Sequence, residues 1–126
     1  MIDHLDHLVL TTTDEAAAVR FYVEGLGMQL ETFKGTRKAF KFGNQKINLH
    51  VKGAEFEPKA HLPVPGALDL CFVVTQPLSD VMTRLAEVGI TVIEGPISRT
   101  GANGPITSVY VRDPDLNLIE LSRYDS

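Results

Sequence analysis

From Leu5 to Thr11 the chain is apolar and β-branched after its first three positions, the composition of a strand. Thr12-Thr13-Asp14-Glu15 then matches a capping box, in which the Thr12 hydroxyl and the Glu15 carboxylate serve orphan amides reciprocally. Ala16 to Glu24 is rich in helix formers, and Gly25 or Gly27 can supply the left-handed residue that ends a helix. Three strands are predicted after it, Met28–Phe33, Thr36–Phe42 and Lys46–Lys52, with Gly35 and Gly43-Asn44 as the turn signals. Residues 53–66 contain Pro58, Pro63 and Pro65 without periodicity and read as a linker. The pattern then restarts. Ala67–Val74 is a predicted strand, Pro77 suits the first turn of a helix, and Leu78, Val81, Leu85 and Val88 recur at helical spacing until Gly89. Ile90–Ile93, Ile106–Arg112 and Leu118–Arg123 complete the second set, leaving Gly95–Pro105 as a glycine-rich insertion expected to be a mobile loop.

The unit β-α-β-β-β is thus written twice. Gly27 and Gly89 stand 62 positions apart, and the same offset carries His7 onto Asp69, Leu8 onto Leu70 and Leu10 onto Phe72. Ile47-Asn48-Leu49 lies 72 positions before Ile119-Glu120-Leu121, so ten residues are inserted in the second copy. One helix covers one face of a four-stranded sheet, and the other face must find a partner. Two copies, paired inside one chain or across a dimer, leave a concave, partly polar trough. The expected class is α+β, two βαβββ repeats forming a curved, barrel-like mixed sheet with the helices outside. We expect a single domain over 1–126, with repeat one at 1–52, the linker at 53–66 and repeat two at 67–126.

Alternation along strands decides which side chains face that trough. Leu8 and Leu10 would meet the first helix, sending His7, Val9 and Thr11 inward; Leu70 and Phe72 would meet the second, sending Asp69, Cys71 and Val73 inward. Ile47, Leu49 and Val51 form an apolar row that leaves Asn48 and His50 opposite. Ile119 and Leu121 do the same for Glu120 and Ser122. The inward polar set is therefore His7, Asn48, His50, Asp69 and Glu120. Imidazole nitrogen with carboxylate oxygen suits a divalent metal ion such as Zn, Ni, Fe or Mn, and an ion would account for carboxylates among apolar neighbours. The ordinary alternative for a strand histidine is a hydrogen-bonded core residue, and for Cys71 a small thiol filling space.

Composition narrows the setting. Twelve Lys and Arg against sixteen Asp and Glu give a net charge of −4, with no basic stripe to recruit nucleic acid or an anionic membrane. The single cysteine cannot form an internal disulfide, and no secretory leader or membrane-length apolar run is visible, so the cytoplasm is the expected compartment. Arg37, Lys38, Arg99 and Arg112 could hold an anion, although a solvated charged face is the commoner role of such residues.

Two motifs carry a resemblance. Leu5-Asp6-His7-Leu8-Val9-Leu10, followed by Arg20-Phe21-Tyr22-Val23-Glu24-Gly25-Leu26-Gly27-Met28, is similar to the opening signature of the vicinal-oxygen-chelate superfamily of glyoxalases, fosfomycin-resistance proteins and extradiol dioxygenases. Val111-Arg112-Asp113-Pro114-Asp115-Leu116-Asn117-Leu118-Ile119-Glu120-Leu121 is similar to its closing signature, with Leu116 at the usual glycine. Ile47-Asn48-Leu49-His50 and Pro63-Val64-Pro65-Gly66-Ala67-Leu68-Asp69 most resemble the glyoxalase-domain-containing protein 5 group. The resemblance implies a metal site on the inward residue of each repeat's first and last strand, here His7, Asn48, Asp69 and Glu120. Asp69 departs from the usual histidine, and Asn48 from the usual glutamate or histidine. His50, two residues further along, is the candidate to supply the missing donor, so the expected ligand set is His7, His50, Asp69 and Glu120. The implied activity is glyoxalase-like lyase or isomerase chemistry on a small oxygen-chelating substrate, Glu120 moving the proton. The alternatives are extradiol-type dioxygenation, which wants two histidines and a carboxylate, and sequestration of a small drug-like molecule without turnover. A homodimer is expected.

Overall fold

A computed structural model describes residues 1–125; Ser126, the last residue of repeat two, lies outside them. The chain divides into two compact units, Met1–Ala67 and one beginning at Leu68. Each is a helical segment with an open, four-stranded mixed sheet, the α+β repeat that the sequence pattern predicts, without closure into a barrel. No helix among the described residues is long and apolar enough to cross a membrane.

In the first unit β1 (His7–Thr12), β2 (Gln29–Phe33), β3 (Arg37–Phe42) and β4 (Gln45–Val51) lie in the order β1-β4-β3-β2, with β1 and β4 parallel and the other pairs antiparallel. The helix α1 (Glu15–Val19) starts one residue pair later than the capping box predicts. Asp14 is the N-cap and accepts from the Ala17 amide at 3.0 Å, while the Thr12 hydroxyl accepts from the Asp14 amide at 3.2 Å. Aspartate is the stronger N-cap and takes the position from the hydroxyl, and Glu15 pairs instead with Lys38 at 3.1 Å. From Arg20 to Gly25 the helix widens into a π-helical stretch, closed by Gly27 at φ 81°. The wider turn lets successive aromatic side chains, Phe21 and Tyr22, both be buried. Phe21 meets Tyr22 edge-on at 4.9 Å, and Tyr22 stacks on Phe40 of β3 at 5.1 Å. With Leu10, Ile47 and Leu49, all buried, these side chains form the core under the helical face of the sheet.

The second unit repeats the plan: β5 (Asp69–Val73), α2 (Leu78–Glu87), β6 (Glu94–Gly101), β7 (Gly104–Arg112) and β8 (Leu118–Tyr124), in the order β5-β8-β7-β6. Pro77 caps α2, Val81 and Leu85 are its buried residues, and Val109, Val111, Ile119 and Leu121 are buried on the sheet. The main departure from expectation is β6. The second strand of this repeat is not Ile90–Ile93 but Glu94–Gly101, and the predicted mobile loop is a strand paired with β7. It is an edge strand, largely exposed, with a register irregularity between Glu94 and Ile97, so it needs no apolar row and tolerates Gly95 and Pro96. The ten inserted residues therefore lengthen a hairpin.

The closing motif is structural. The Asp113 carboxylate accepts the Asp115 and Asn117 amides, both at 2.9 Å, and the Asn117 side-chain amide at 2.7 Å. Asn117 Oδ1 in turn accepts from the Leu68 amide at 2.8 Å, tying the β7–β8 turn to the start of β5. Leu116, at the position where glycine was expected, holds φ 69°.

Candidate functional site

Register confirms the repeat residue by residue. His7 pairs with Lys46 and Val9 with Asn48, while Asp69 pairs with Leu118 and Cys71 with Glu120. Each unit therefore places one residue of β1 or β5 diagonally beside one of β4 or β8 on the face away from its helix: His7 with Asn48, and Asp69 with Glu120.

In the first unit, His7 is half-exposed, and its Nδ1 lies 2.8 Å from Asp6 Oδ1. A carboxylate on one ring nitrogen fixes tautomer and orientation and leaves Nε2 as the free donor. His50 behaves differently. It is 8% exposed, its ring meets Phe56 edge-on at 5.5 Å, and burial pushes its pKa below the ordinary value of 6.5. His50 registers opposite Thr11, four residues along β4 from the partner of His7. Four strand residues span about 13 Å, and strand side chains stand roughly perpendicular to the sheet. The register thus sets His50 apart from His7, for the physical reason that parity reports the face and not the row. His50 Nδ1 and Asn48 Oδ1 are both buried and lack a hydrogen-bond partner among the described residues. Such orphans cost about 1–3 kcal/mol each unless something completes them.

In the second unit, Glu120 is held by hydroxyls. Ser108 of β7, wholly buried, donates to Glu120 Oε2 at 2.6 Å, and Ser108 and Ser122 share a hydrogen bond of 2.6 Å. The contact fixes one carboxylate oxygen and leaves Oε1 for another partner. Cys71 Sγ lies 3.3 Å from Ser122 Oγ; burial, then the nearby Glu120 and Asp69 charges, push the thiol up, against the opposing effect of the Ser122 contact. A raised thiol is a poor nucleophile. Asp69 is exposed on the same face. Alongside, Arg99 donates to the Tyr110 hydroxyl at 3.0 Å and pairs with Glu94 at 3.4 Å.

Taken unit by unit, the first offers an imidazole nitrogen on His7 and the second two carboxylates, Asp69 and Glu120, on one face, each a donor type that suits a borderline divalent ion. Among the described residues no three His, Cys, Asp or Glu side chains gather as a ready-made metal cluster. Two participants, Ser108 and Phe56, escaped sequence reasoning. Ser108 is found only once the β7–β8 register sets it opposite Ser122. Phe56 sits in the aperiodic linker, and the Arg37 guanidinium stacks over it at 4.1 Å.

The sequence profile of the glyoxalase/bleomycin resistance protein/dioxygenase superfamily matches residues 4–121. Virulence protein STM3117 of Salmonella typhimurium is 55% identical over 124 residues, covering 98% of this chain and 86% of that protein. Its crystal structure superposes with a TM-score of 0.97 over 99% of each chain at 54% identity. The glyoxalase domain-containing protein RDO1 of Mycosarcoma maydis is 58% identical over 120 residues, 95% of this chain and 68% of that protein. Lactoylglutathione lyase from Agrobacterium tumefaciens has the same fold, at a TM-score of 0.73 and 25% identity over 98% of this chain and 95% of that one. Matched over nearly its whole length, the chain belongs to the glyoxalase/bleomycin resistance protein/dioxygenase superfamily.

Proposed function

We propose that this chain is a glyoxalase-like, divalent-metal-dependent enzyme of the lyase or isomerase type, acting on a small substrate that offers neighbouring oxygens. The observation that carries the reading is the Ser108–Glu120 contact: a carboxylate pinned through one oxygen by a wholly buried hydroxyl is positioned for chemistry. His7, Asp69 and Glu120 would hold the ion, which supplies Lewis-acid stabilisation of developing enediolate or alkoxide charge when bound. Asp6 orients the His7 ring, Ser108 orients Glu120, and the Glu120 carboxylate moves the substrate proton. His50, the sequence candidate for the donor that Asn48 lacks, would instead face the substrate, because the register sets it four residues along β4 from the partner of His7. Extradiol-type oxygen insertion is a less supported version, since the β1–β4 register separates the two histidines it would need. The 126-residue chain would act as one domain in the cytoplasm, as a homodimer.

A second reading is favoured by Asn48. A neutral amide at the repeat equivalent of Glu120 leaves the first unit one ionisable donor short, as in a binding protein that sequesters a small molecule without turnover. Metal titration decides between the two. Chelator-stripped protein should take up stoichiometric Zn, Ni, Mn or Fe(II), and His7→Ala and Glu120→Ala should each weaken that uptake by at least about 10-fold. Wild-type metal affinity in both variants would remove these residues from the site; persistent absence of uptake would favour the binding protein.

A further inference from the structure

His50 and Asn48 form a second polar cluster that the proposed metal chemistry leaves unused. We propose that it is a substrate-anchoring subsite for a small hydroxylated carboxylate, built on the inner face of β4 with Arg37 and Phe56. This rests on the reading that the face away from the helix is the substrate face of the first unit.

Four observations place the subsite. Asn48 Oδ1 and His50 Nδ1 lie two residues apart on one strand, point the same way, and are buried without partners among the described residues. Arg37 joins them from β3: Lys38 pairs with Leu49, so Arg37 falls beside His50 on the same face. Its guanidinium lies over the Phe56 ring at 4.1 Å, and the same ring meets His50 at 5.5 Å, so one aromatic side chain walls both groups. A guanidinium stacked by its face keeps its N–H edge for a carboxylate, which it grips through two parallel bonds. The surrounding charge is mixed but arranged to leave Arg37 available. Glu55 is turned to the Gly53 amide at 3.1 Å, and Glu57 pairs with Lys59. Glu31 shares the face, with Lys41 and Lys46 of the same parity adding positive charge.

The unmet valences define the ligand. Arg37 asks for an anionic, planar oxygen pair. Asn48 Oδ1, an acceptor with no donor, asks for a hydroxyl proton. His50 offers Nδ1, buried and without a partner among the described residues, to the remaining oxygen as donor or acceptor according to its tautomer. Phe56 gives an apolar wall for a short carbon skeleton. A carboxylate beside a hydroxyl meets all of these; a hydrocarbon, a simple cation or a bare inorganic anion does not.

The experiment uses chelator-treated, full-length protein, with malate and lactate as hydroxylated probes and succinate and propionate as their deoxy controls. Binding is followed by two-dimensional NMR at the His50 ring protons, the Asn48 side-chain amide and Arg37 Nε–H. Malate should shift all three saturably and bind at least about 5-fold tighter than succinate. Arg37→Gln and His50→Phe should each weaken malate by about 10-fold or more. His50→Phe is read only if its melting temperature matches wild type; otherwise Arg37→Gln, at a half-buried position, decides. Absence of saturable shifts, equal affinity for malate and succinate, or variants that bind as wild type would overturn the subsite. Metal uptake is measured separately on the same preparations. Malate binding without uptake leaves the subsite standing and sinks the metalloenzyme, and uptake without malate binding does the reverse.

Discussion

His50 and Glu120 lie on strands of the same kind, yet their surroundings give them opposite tasks. Alternation was enough to put both on the inner face, because Ile47–Leu49 and Ile119–Leu121 are clear apolar rows. Nothing in the sequence said that His50 would be buried against a linker phenylalanine, or that a serine from β7 would hold Glu120. Those facts depend on strand register and on an aperiodic segment, neither of which has a sequence period. Burial of His50 has a consequence for pH. Desolvation is the main cause of its lowered pKa, with Arg37 adding to it while Glu55 and Glu57 oppose. As pH falls below 6.5 the unfolded imidazole therefore protonates first, and stability declines until the folded pKa is passed. The urea midpoint of wild type should fall between pH 7.5 and pH 5.5 by more than that of His50→Phe; parallel declines would show that His50 carries no such linkage. Leu116 offers a second test. Its left-handed backbone, φ 69° on an exposed side chain, costs a leucine about 1–2 kcal/mol that a glycine does not bear. Leu116→Gly should raise the unfolding free energy from urea titration by up to about 1 kcal/mol after the greater unfolded-state freedom of glycine is offset, and a lower value would contradict this strain.

Among elements, strands with one apolar face and the amphipathic α2 were legible; β6 was not. Strand propensity is a statement about packing on a half-buried surface. Exposed along most of its length, β6 offers no such pattern, and the glycines of this stretch pointed to a loop. What holds it is the backbone ladder to β7, including Ile97 with Ser108 and Ser98 with Thr107. Gly95 shows how close that approach is. It holds φ 104°, and a Cβ there would run into the Ser108 carbonyl oxygen and lie 3.0 Å from Val109 Cα. Both contacts are backbone, so neither can swing aside. Gly95→Ala should cost about 2–4 kcal/mol through strain and displaced pairing. The shift should reach Ser108 and loosen its hold on Glu120. Thermal melts and amide exchange across β7 would check this, and wild-type values in both would refute the close approach.

At the scale of the whole chain, duplication was the most legible feature, because it needs only counting. The offset of 62 predicted that Asp69 would occupy the place of His7, and the registers His7–Lys46 and Asp69–Leu118 bear it out. Assembly is less legible, because surfaces carry no period, but the structure supplies two arguments for it. Each open sheet ends on edge strands, and an uncapped edge is a template for further pairing. The described residues also expose many large apolar side chains, among them Ile2, Leu5, Val9, Leu62, Val64, Val73 and Ile93. Scattered singly these are unremarkable; an isologous partner would cover those that share a face. Light scattering should therefore return twice the chain mass at micromolar concentration. Dilution into the nanomolar range should leave that mass unchanged if the interface is of the large, apolar, obligate kind. A single-chain mass throughout the micromolar range would mean that these side chains are ordinary solvent-exposed surface, and that any substrate site must be complete within one copy.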